Sequence, residues 1–334
     1  MPAPHARPDL PAFLGSGNSG RIRCHRRETS TAPSAFALAG TLRLPRSMQI
    51  RTVLCPIDFS GIDERELAIA LETCRTFGAK LVLHHCLPAA EPGFSRAWEW
   101  AKASQGKVPS EAAAVERLRA LLDSVAGSVP AEAVVTSGRL VESVLTLAEQ
   151  LPADLMVLGS HGWSTQDHAS VTERVIDRSR CPVLTFQEWA VAPPFRLRAE
   201  PGGPPRRVLV PTDLTPASAA AVSHACTLAR YPGLHVELLH VVPDDASASA
   251  CDRAHRALVG LVPPDLVETV SAHLRRGEPG TEITNYVEVT APAFVILGEH
   301  ARGFLRRFLT PDTTQAVVRR IHCPAWVIPA SSGT

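Results

Sequence analysis

The sequence predicts an α/β protein built twice over, with parallel sheets covered by helices on both faces. Three observations carry this. The apolar run Asp154-Leu155-Met156-Val157-Leu158 closes on Gly159-Ser160-His161-Gly162, and it recurs as Ala293-Phe294-Val295-Ile296-Leu297-Gly298-Glu299-His300-Ala301. Such a run, closed by glycine, reads as a fully buried strand entering a tight loop. The motifs around it recur in the same order, so the chain is a tandem duplication. Within each copy, strands apolar on both faces alternate with helical patterns, which requires a parallel sheet sandwiched by helices. Crossovers in such a sheet are right-handed. Ligands bind beyond the strand C-termini, where the strand order reverses.

Residues 1–47 lack hydrophobic periodicity. Asp9 and Glu28 are their only acids, and Arg21, Arg23, Arg26 and Arg27 form a basic cluster. A disordered tail, or an upstream extension of a start at Met48, is expected. An organelle transit peptide shares this Arg/Ser-rich character, whereas a secretory signal would need an apolar core that is missing.

Order is expected from Met48. Arg51-Thr52-Val53-Leu54-Cys55-Pro56-Ile57-Asp58 reads as a buried strand. Ser60 as N-cap and Asp63 at N3 make a weak capping box for a helix that runs to Phe77 and stops at Gly78. A second strand is predicted over 80–87, a helix over 95–127 and a third strand over 132–136. A helix follows over 140–150, with Val141, Val144, Leu145 and Ala148 on one face. After the fourth strand and its loop come a helix over 170–178 and a last strand over 182–186. Residues 189–206, rich in Pro and Gly, read as an extended, semi-rigid linker.

The second copy opens on Val208-Leu209-Val210-Pro211-Thr212-Asp213. Thr215-Pro216 supplies an N-cap and a proline at N1 for a helix to Arg230. Strands are predicted over 234–242 and 267–274, and Gly277-Glu278-Pro279 opens a helix to Val289. The chain closes on Cys323-Pro324-Ala325-Trp326-Val327-Ile328. Asp58 to Asp213 and His85 to His240 are both offsets of 155, Gly159 to Gly298 is 139, and Cys181 to Cys323 is 142. Copy two therefore lacks 16 residues between its second and third strands, assigned mostly to helix, and copy one lacks three between the glycine loop and the last strand.

The totals bound the function. A net charge of +1 leaves no electrostatic footprint for nucleic acid or an anionic membrane. No apolar run approaches the roughly 20 residues that span a bilayer. Eight cysteines, scattered singly, point to a reducing cytoplasm without a disulfide framework or metal site.

Asp58 ends the first strand, and Gly159 and Gly162 end the fourth. Glycines let a backbone approach a ligand, and a helix starting near Ser170 suits an anion. An acceptor, a nest of donors and a helix start together point to a nucleotide. A tight turn needing positive φ, with Asp58 capping its own loop, reads equally from these residues.

Both halves resemble the universal stress protein family. The resemblance rests on Val53-Leu54-Cys55-Pro56-Ile57-Asp58-Phe59-Ser60, Val208-Leu209-Val210-Pro211-Thr212-Asp213 and Leu238-Leu239-His240-Val241-Val242. It rests also on the Leu158-Gly159-Ser160-His161-Gly162 loop and on Val171-Thr172-Glu173-Arg174-Val175 leading to Cys181-Pro182-Val183-Leu184. It implies two tandem five-stranded parallel sheets in order 3-2-1-4-5, Rossmann-like, in domains 48–188 and 207–329. It implies adenine near the strand-one aspartate and phosphates against the glycines and a hydroxyl. The candidate site in domain 1 is Pro56, Ile57, Asp58, Gly159, His161, Gly162, Ser170 and Val171, with ATP, ADP or AMP as candidate ligands. A weaker site in domain 2 is Pro211, Thr212, Asp213, Gly298 and His300. The last strands, with Val183-Leu184 and Trp326-Val327-Ile328, are expected to pair the halves as an intrachain pseudo-dimer. A homodimer and a regulatory protein partner are further expectations.

Both copies depart from the family's nucleotide loop, which reads Gly, two residues, Gly, nine residues, Gly, then Ser or Thr. In copy one only residues 163–168 separate Gly162 from Ala169-Ser170, and Asp167 lies among them. Three missing residues correspond to about 10 Å of extended chain. In copy two Ala301 replaces the second glycine and Pro311-Asp312 replaces Gly-Ser. Proline removes a donor, and a misplaced carboxylate costs about 0.3–1 kcal/mol, up to ~2 when partly buried. Copy two is therefore the weaker ATP site, and copy one is expected to hold a nucleotide with fewer phosphates, or none.

Rival constellations are thinner. His84-His85-Cys86 resembles a metal cluster, but strand neighbours face opposite ways, and His85 matches His240 as a structural histidine. His161 and His300 are paired by the repeat and read equally as loop hydrogen-bonding or ligand-contacting residues. Cys181 and Cys323 precede prolines at strand starts, where burial is the expectation. Arg302, Arg306 and Arg307 read as a solvated face with an anion site as the alternative. Neither a nucleophile elbow nor a Walker loop is present, and the histidine-glycine signature of nucleotidyl transferases is missing. The expectation is a non-enzymatic stress-response regulator. The alternatives are a ligand-free scaffold that docks a partner and a slow ATPase or autophosphorylating enzyme.

Overall fold

The computed structural model describes residues 22–24, 50–59, 63–88, 110–125, 127–160, 171–187, 196–197, 199–200, 202–298 and 321–329. The first half comprises β2 (Thr52–Pro56), α1 (Asp63–Phe77), β3 (Lys80–Pro88), α2 (Glu111–Ser124), β4 (Ala131–Gly138), α3 (Leu140–Gln150), β5 (Leu155–Ser160), α4 (Val171–Arg178) and β6 (Val183–Gln187). The second comprises β7 (Arg206–Pro211), α5 (Pro216–Leu228), β8 (Leu234–Val242), α6 (Ala248–Val259), β9 (Val270–Arg276), α7 (Pro279–Thr290), β10 (Phe294–Gly298) and β11 (Ala325–Ile328). A further strand, β1 (Ile22–Cys24), precedes them.

The strands run β1-β4-β3-β2-β5-β6-β11-β10-β7-β8-β9 in space. Each half has the order 3-2-1-4-5 with parallel neighbours, as expected. The expectation of two separate sheets is corrected: β6 and β11 pair antiparallel, with Leu184 opposite Trp326, and fuse the halves into one sheet. The cause is that each half ends in an apolar edge strand, which is stable only when paired or covered.

Burial follows the sheet. On the α1/α5 side one core is continuous across both halves, running through Val53, Leu155, Leu184, Trp326, Phe294 and Val208. On the other side each half keeps its own core, one under α3 and α4 and one under α7. Across the seam Phe77 at the end of α1 meets Trp326 edge-on at 6.2 Å and Tyr231 at 5.3 Å. The helix stops there because Gly78 takes φ +67°, a left-handed conformation that only glycine adopts cheaply.

Several local expectations shift. Copy two keeps a helix between its second and third strands, α6, capped by Ser247, whose side chain accepts Ala250 N–H. The 16-residue difference therefore does not remove that helix. The first copy's counterpart is α2, which opens at the Ser110 N-cap and ends at Ser124; the part of the predicted helix over 95–109 lies outside the described residues. On α3 Leu147, not Leu145, joins Val141, Val144 and Ala148 in the buried stripe. Strand β9 starts at Val270 because residues 264–266 form a 3₁₀ turn and Val267 is 67% exposed. Ile22–Cys24 pairs antiparallel with Val135, Val134 and Ala133, a strand within the stretch read as disordered. Leu197, in the linker, is fully buried in the main core, which anchors that segment on the domains.

Candidate functional site

The strand order of the first half reverses between β2 and β5. These strands pair over two positions only, Val53 with Leu155 and Leu54 with Met156, and then part. A crevice opens at this switch point, where doubly wound sheets place ligands. On one wall, Ile57 N–H still donates to His84 O at 2.7 Å, continuing the ladder past Pro56. Ile57 O accepts from His85 Nδ1 at 2.7 Å. A carbonyl only accepts, so this bond places a proton on Nδ1. Burial pushes His85 below its ordinary pKa, against the raising influence of the Ile57 carbonyl and of Asp58. Asp58 is half-buried at the strand end. Phe59 follows with φ 60°, an unusual conformation for a bulky residue. Its ring lies on His85 at 4.4 Å between centroids, and the Arg117 guanidinium lies over the same ring, 4.1 Å from its centroid.

The opposite wall is Gly159. Met156 N–H donates to Pro182 O on the β6 side. Strand backbone groups alternate in direction, so Gly159, three residues on, points into the gap. Two buried side chains meet it there. Glu66 of α1 accepts the Gly159 N–H through Oε1, and Thr172 of α4 donates its hydroxyl to Gly159 O at 2.8 Å. A Cβ at Gly159 would lie 2.5 Å from Glu66 Oε1, so no other residue fits without displacing the carboxylate.

The structure thus brings Pro56, Ile57, Asp58 and Gly159 to the two walls of one crevice and starts α4 at Val171. His161, Gly162, Ser170 and His300 lie outside the described residues, as do Ala301, Arg302, Arg306, Arg307 and both loops' departures from the family pattern. Glu66 and Thr172 did not figure among the expected site residues. The available signal was the repeat itself: the position matching Glu66 at offset 155 is Ala221, so one copy carries a carboxylate where the other carries a buried methyl.

The universal stress protein family model matches residues 49–187 and again 205–329. The chain belongs to the universal stress protein family. A universal stress protein from Archaeoglobus fulgidus is similar over 85% of this chain and 98% of its own, at 18% identity and TM-score 0.61. A putative universal stress protein from Pseudomonas aeruginosa is similar over 85% of this chain and 95% of its own, at 14% identity and TM-score 0.53. At these identities the likeness concerns the fold. No protein of curated function matches the sequence.

The second universal stress domain repeats the geometry with different chemistry. Its inner strands also pair over two positions, Phe294 with Val208 and Val295 with Leu209. Thr212 N–H donates to Leu239 O at 2.9 Å, His240 Nδ1 bonds Thr212 O at 2.8 Å, and Leu214 takes φ 61°. His85 and His240 are therefore equivalent structural histidines, each fixing the peptide before the strand-one aspartate. Asp213, however, caps its own loop, accepting Thr215 N–H at 3.0 Å and Thr215 Oγ1–H at 2.6 Å. Burial opposes its ionisation, but these bonds and Ser218 outweigh it and hold the carboxyl below its usual value. Thr212 Oγ1 is taken up by Ser218 Oγ at 2.8 Å. Pro211 is buried at the strand end, and Gly298 closes β10.

The rival constellations resolve as packing. His84 is fully buried, bonded to Thr136 Oγ1 at 2.8 Å, and burial, with its neighbour His85, drives its pKa down to about 3. Burial pushes the Cys181 thiol up to about 11 and Cys323 to about 12, far from thiolate chemistry. Among the described residues no group of three or more His, Cys, Asp or Glu is placed to hold a metal, and no helix is long and apolar enough to cross a membrane.

Proposed function

We propose that this universal stress protein is a ligand-responsive regulator. Its first domain binds an adenine nucleoside or nucleotide in the crevice between β2 and β5, and its second domain is the structural half of the pseudo-dimer. The role is binding without turnover. The observation that carries the reading is the placement of a half-buried strand-end carboxylate, Asp58, across the switch point from Gly159 near the end of β5. The second copy replaces the second glycine of its loop by Ala301 and the later Gly-Ser by Pro311-Asp312, which makes it the weaker site. A half-buried carboxylate at the strand end suits the donor edge of a base, and the gap lies at the switch point that such ligands use.

The test is the small-molecule content of the purified full chain, released by denaturation and identified by mass spectrometry. Adenosine, AMP, ADP and ATP are then titrated into wild type and Asp58→Ala. The reading expects an adenine compound bound to wild type and weakened about tenfold or more by Asp58→Ala, the loss typical of a buried charged hydrogen bond. No binding of any of the four at millimolar concentration would favour the alternative, a scaffold whose fused sheet docks a regulatory protein.

A further inference from the structure

We infer that the outer edge of β9 docks a second copy of this chain, β9 against β9, antiparallel about a twofold axis at Ala272. The inference is independent of the nucleotide reading.

The eleven-stranded sheet ends on β9 at one side and, beneath β1, on β4 at the other. These two strands are equivalent, at offset 139. The outer side of β4 is taken by the antiparallel strand Ile22–Cys24, whereas among the described residues no strand pairs the outer side of β9. Thr269 O accepts Val236 N–H and Gly277 N–H donates to Val242 O, so the odd-numbered residues of β9 bond to β8. Val270, Ala272, Leu274 and Arg276 therefore turn their backbone N–H and C=O groups outward. Ala272 and Leu274 match Ala133 and Val135, which lie opposite Cys24 and Ile22.

An open edge invites pairing unless it is short, bulged, interrupted by proline or guarded by charge. Strand β9 runs for seven residues in continuous register with β8 and contains no proline. Its two charges are held on their own domain. Arg275 lies over the Tyr286 ring at 5.4 Å, and Arg276 donates to Asp244 O at 3.4 Å and to Cys251 Sγ at 3.1 Å. The surroundings are apolar. Among the described residues the exposed large hydrophobics are Val259, Val267 and Val289, at 47%, 67% and 82%, all in the second domain. Val267 leads into β9, Val259 ends the helix packed on β9, and Val289 lies in the last turn of α7, at the same end of the sheet. At the covered edge the residues matching Val267 and Val289 are Ser128 and Gln150, both polar.

The sequence of the edge complements itself. Antiparallel pairing about Ala272 sets this small residue against itself, Leu274 against Val270, and Arg276 against the exposed Glu268 of the second copy. Outward-facing residues meet outward-facing residues in this register, so each pair exchanges both backbone bonds. Apolar and opposite-charge pairs across strands are stabilising. An isologous contact of this kind closes as a dimer. It sets the second domains at the centre of one continuous sheet and the first domains at its two ends.

The experiment is analytical ultracentrifugation of the full chain over a concentration series. The proteins are wild type, Ala272→Pro, Glu268→Arg, Arg276→Glu and the double variant Glu268→Arg/Arg276→Glu. Proline on an outer edge removes an outward N–H and leaves the ladder to β8 intact, and circular dichroism checks each fold. Wild type should be dimeric at micromolar concentration. Ala272→Pro and each single charge reversal should weaken the dimer about tenfold or more, and the double variant should regain most of the loss. If Ala272→Pro fails to fold, the charge reversals decide alone. A monomeric wild type, a dimer undiminished in folded Ala272→Pro, or a double variant no tighter than the single reversals would overturn the assignment.

Discussion

Leu184 and Trp326 are equivalent positions of the duplicated sequence, at offset 142, and they lie directly opposite each other where β6 meets β11. A residue that faces its own counterpart marks the axis of a pseudo-twofold, the intrachain form of an isologous interface. The axis is built from unequal partners. Trp326 is fully buried and meets Phe294, His224 and Phe77, the last from the other domain. Trp326→Ala should therefore destabilise the chain by about 3–5 kcal/mol, the usual cost of emptying a large aromatic site. The loss should fall on both domains, so urea unfolding followed by far-UV circular dichroism should shift as a whole. A variant with wild-type stability would remove Trp326 from the seam's energetics.

Gly159→Ala should cost about 1–3 kcal/mol, because the new methyl would press on the Glu66 carboxylate in a packed interior. In a Glu66→Ala background the obstruction is gone, and the same substitution should cost less by about 1 kcal/mol or more. Chemical denaturation of the four proteins of this cycle measures the coupling. Additive effects would mean that Glu66 and Gly159 do not meet in solution.

Two buried histidines make stability fall on the acid side. Burial lowers the pKa of His84 to about 3 and of His224 to about 4, from an ordinary 6.5. Below that ordinary value the unfolded chain takes up protons that the folded chain refuses. Their stabilisation is thus complete above about pH 6.5 and is lost as pH falls, at about 1.4 kcal/mol per pH unit for each histidine. The loss from His224 levels off near pH 4 and that from His84 near pH 3. His84→Leu, which installs the residue found at the matching Leu239, should remove the share of His84 alone, up to about 1.4 kcal/mol per pH unit between pH 6 and 4. Equal slopes for wild type and variant in urea titrations would contradict this.

Asp213→Ala should cost about 0.5–2 kcal/mol, the range for losing a side-chain cap, since both Thr215 bonds go with it. It should leave ligand affinity unchanged, which separates its role from that of Asp58. Thermal melts and a single titration of the variant check both halves of the statement.

Hydrophobic alternation made the frame of this protein legible. The runs at 53–57, 155–158, 208–211 and 294–297 are apolar on both faces because helices cover both sides, and the duplication confirms each with its partner. The His85–His240 pair was readable for the same reason. What escaped detection was chemistry placed against the pattern. Glu66 sits on the buried face of α1, where a reading by apolar positions passes over it; only comparison with Ala221 exposes it. Helix α6 has a mixed face with Leu258 as its buried residue, too thin a stripe to stand out between two strong strands. Val267 looked like strand, but a preceding 3₁₀ turn leaves it exposed. The anchoring of the linker by Leu197 is a tertiary contact that no local periodicity encodes.

The central claim is that one of two homologous crevices is a ligand site and the other is not. Binding stoichiometry tests it most directly. The tightest binder among adenosine, AMP and ATP is titrated calorimetrically into wild type, Asp58→Ala and Asp213→Ala. The account predicts one ligand per chain in wild type, lost in Asp58→Ala and retained in Asp213→Ala. Two ligands per chain, or loss of binding in Asp213→Ala with retention in Asp58→Ala, would contradict it.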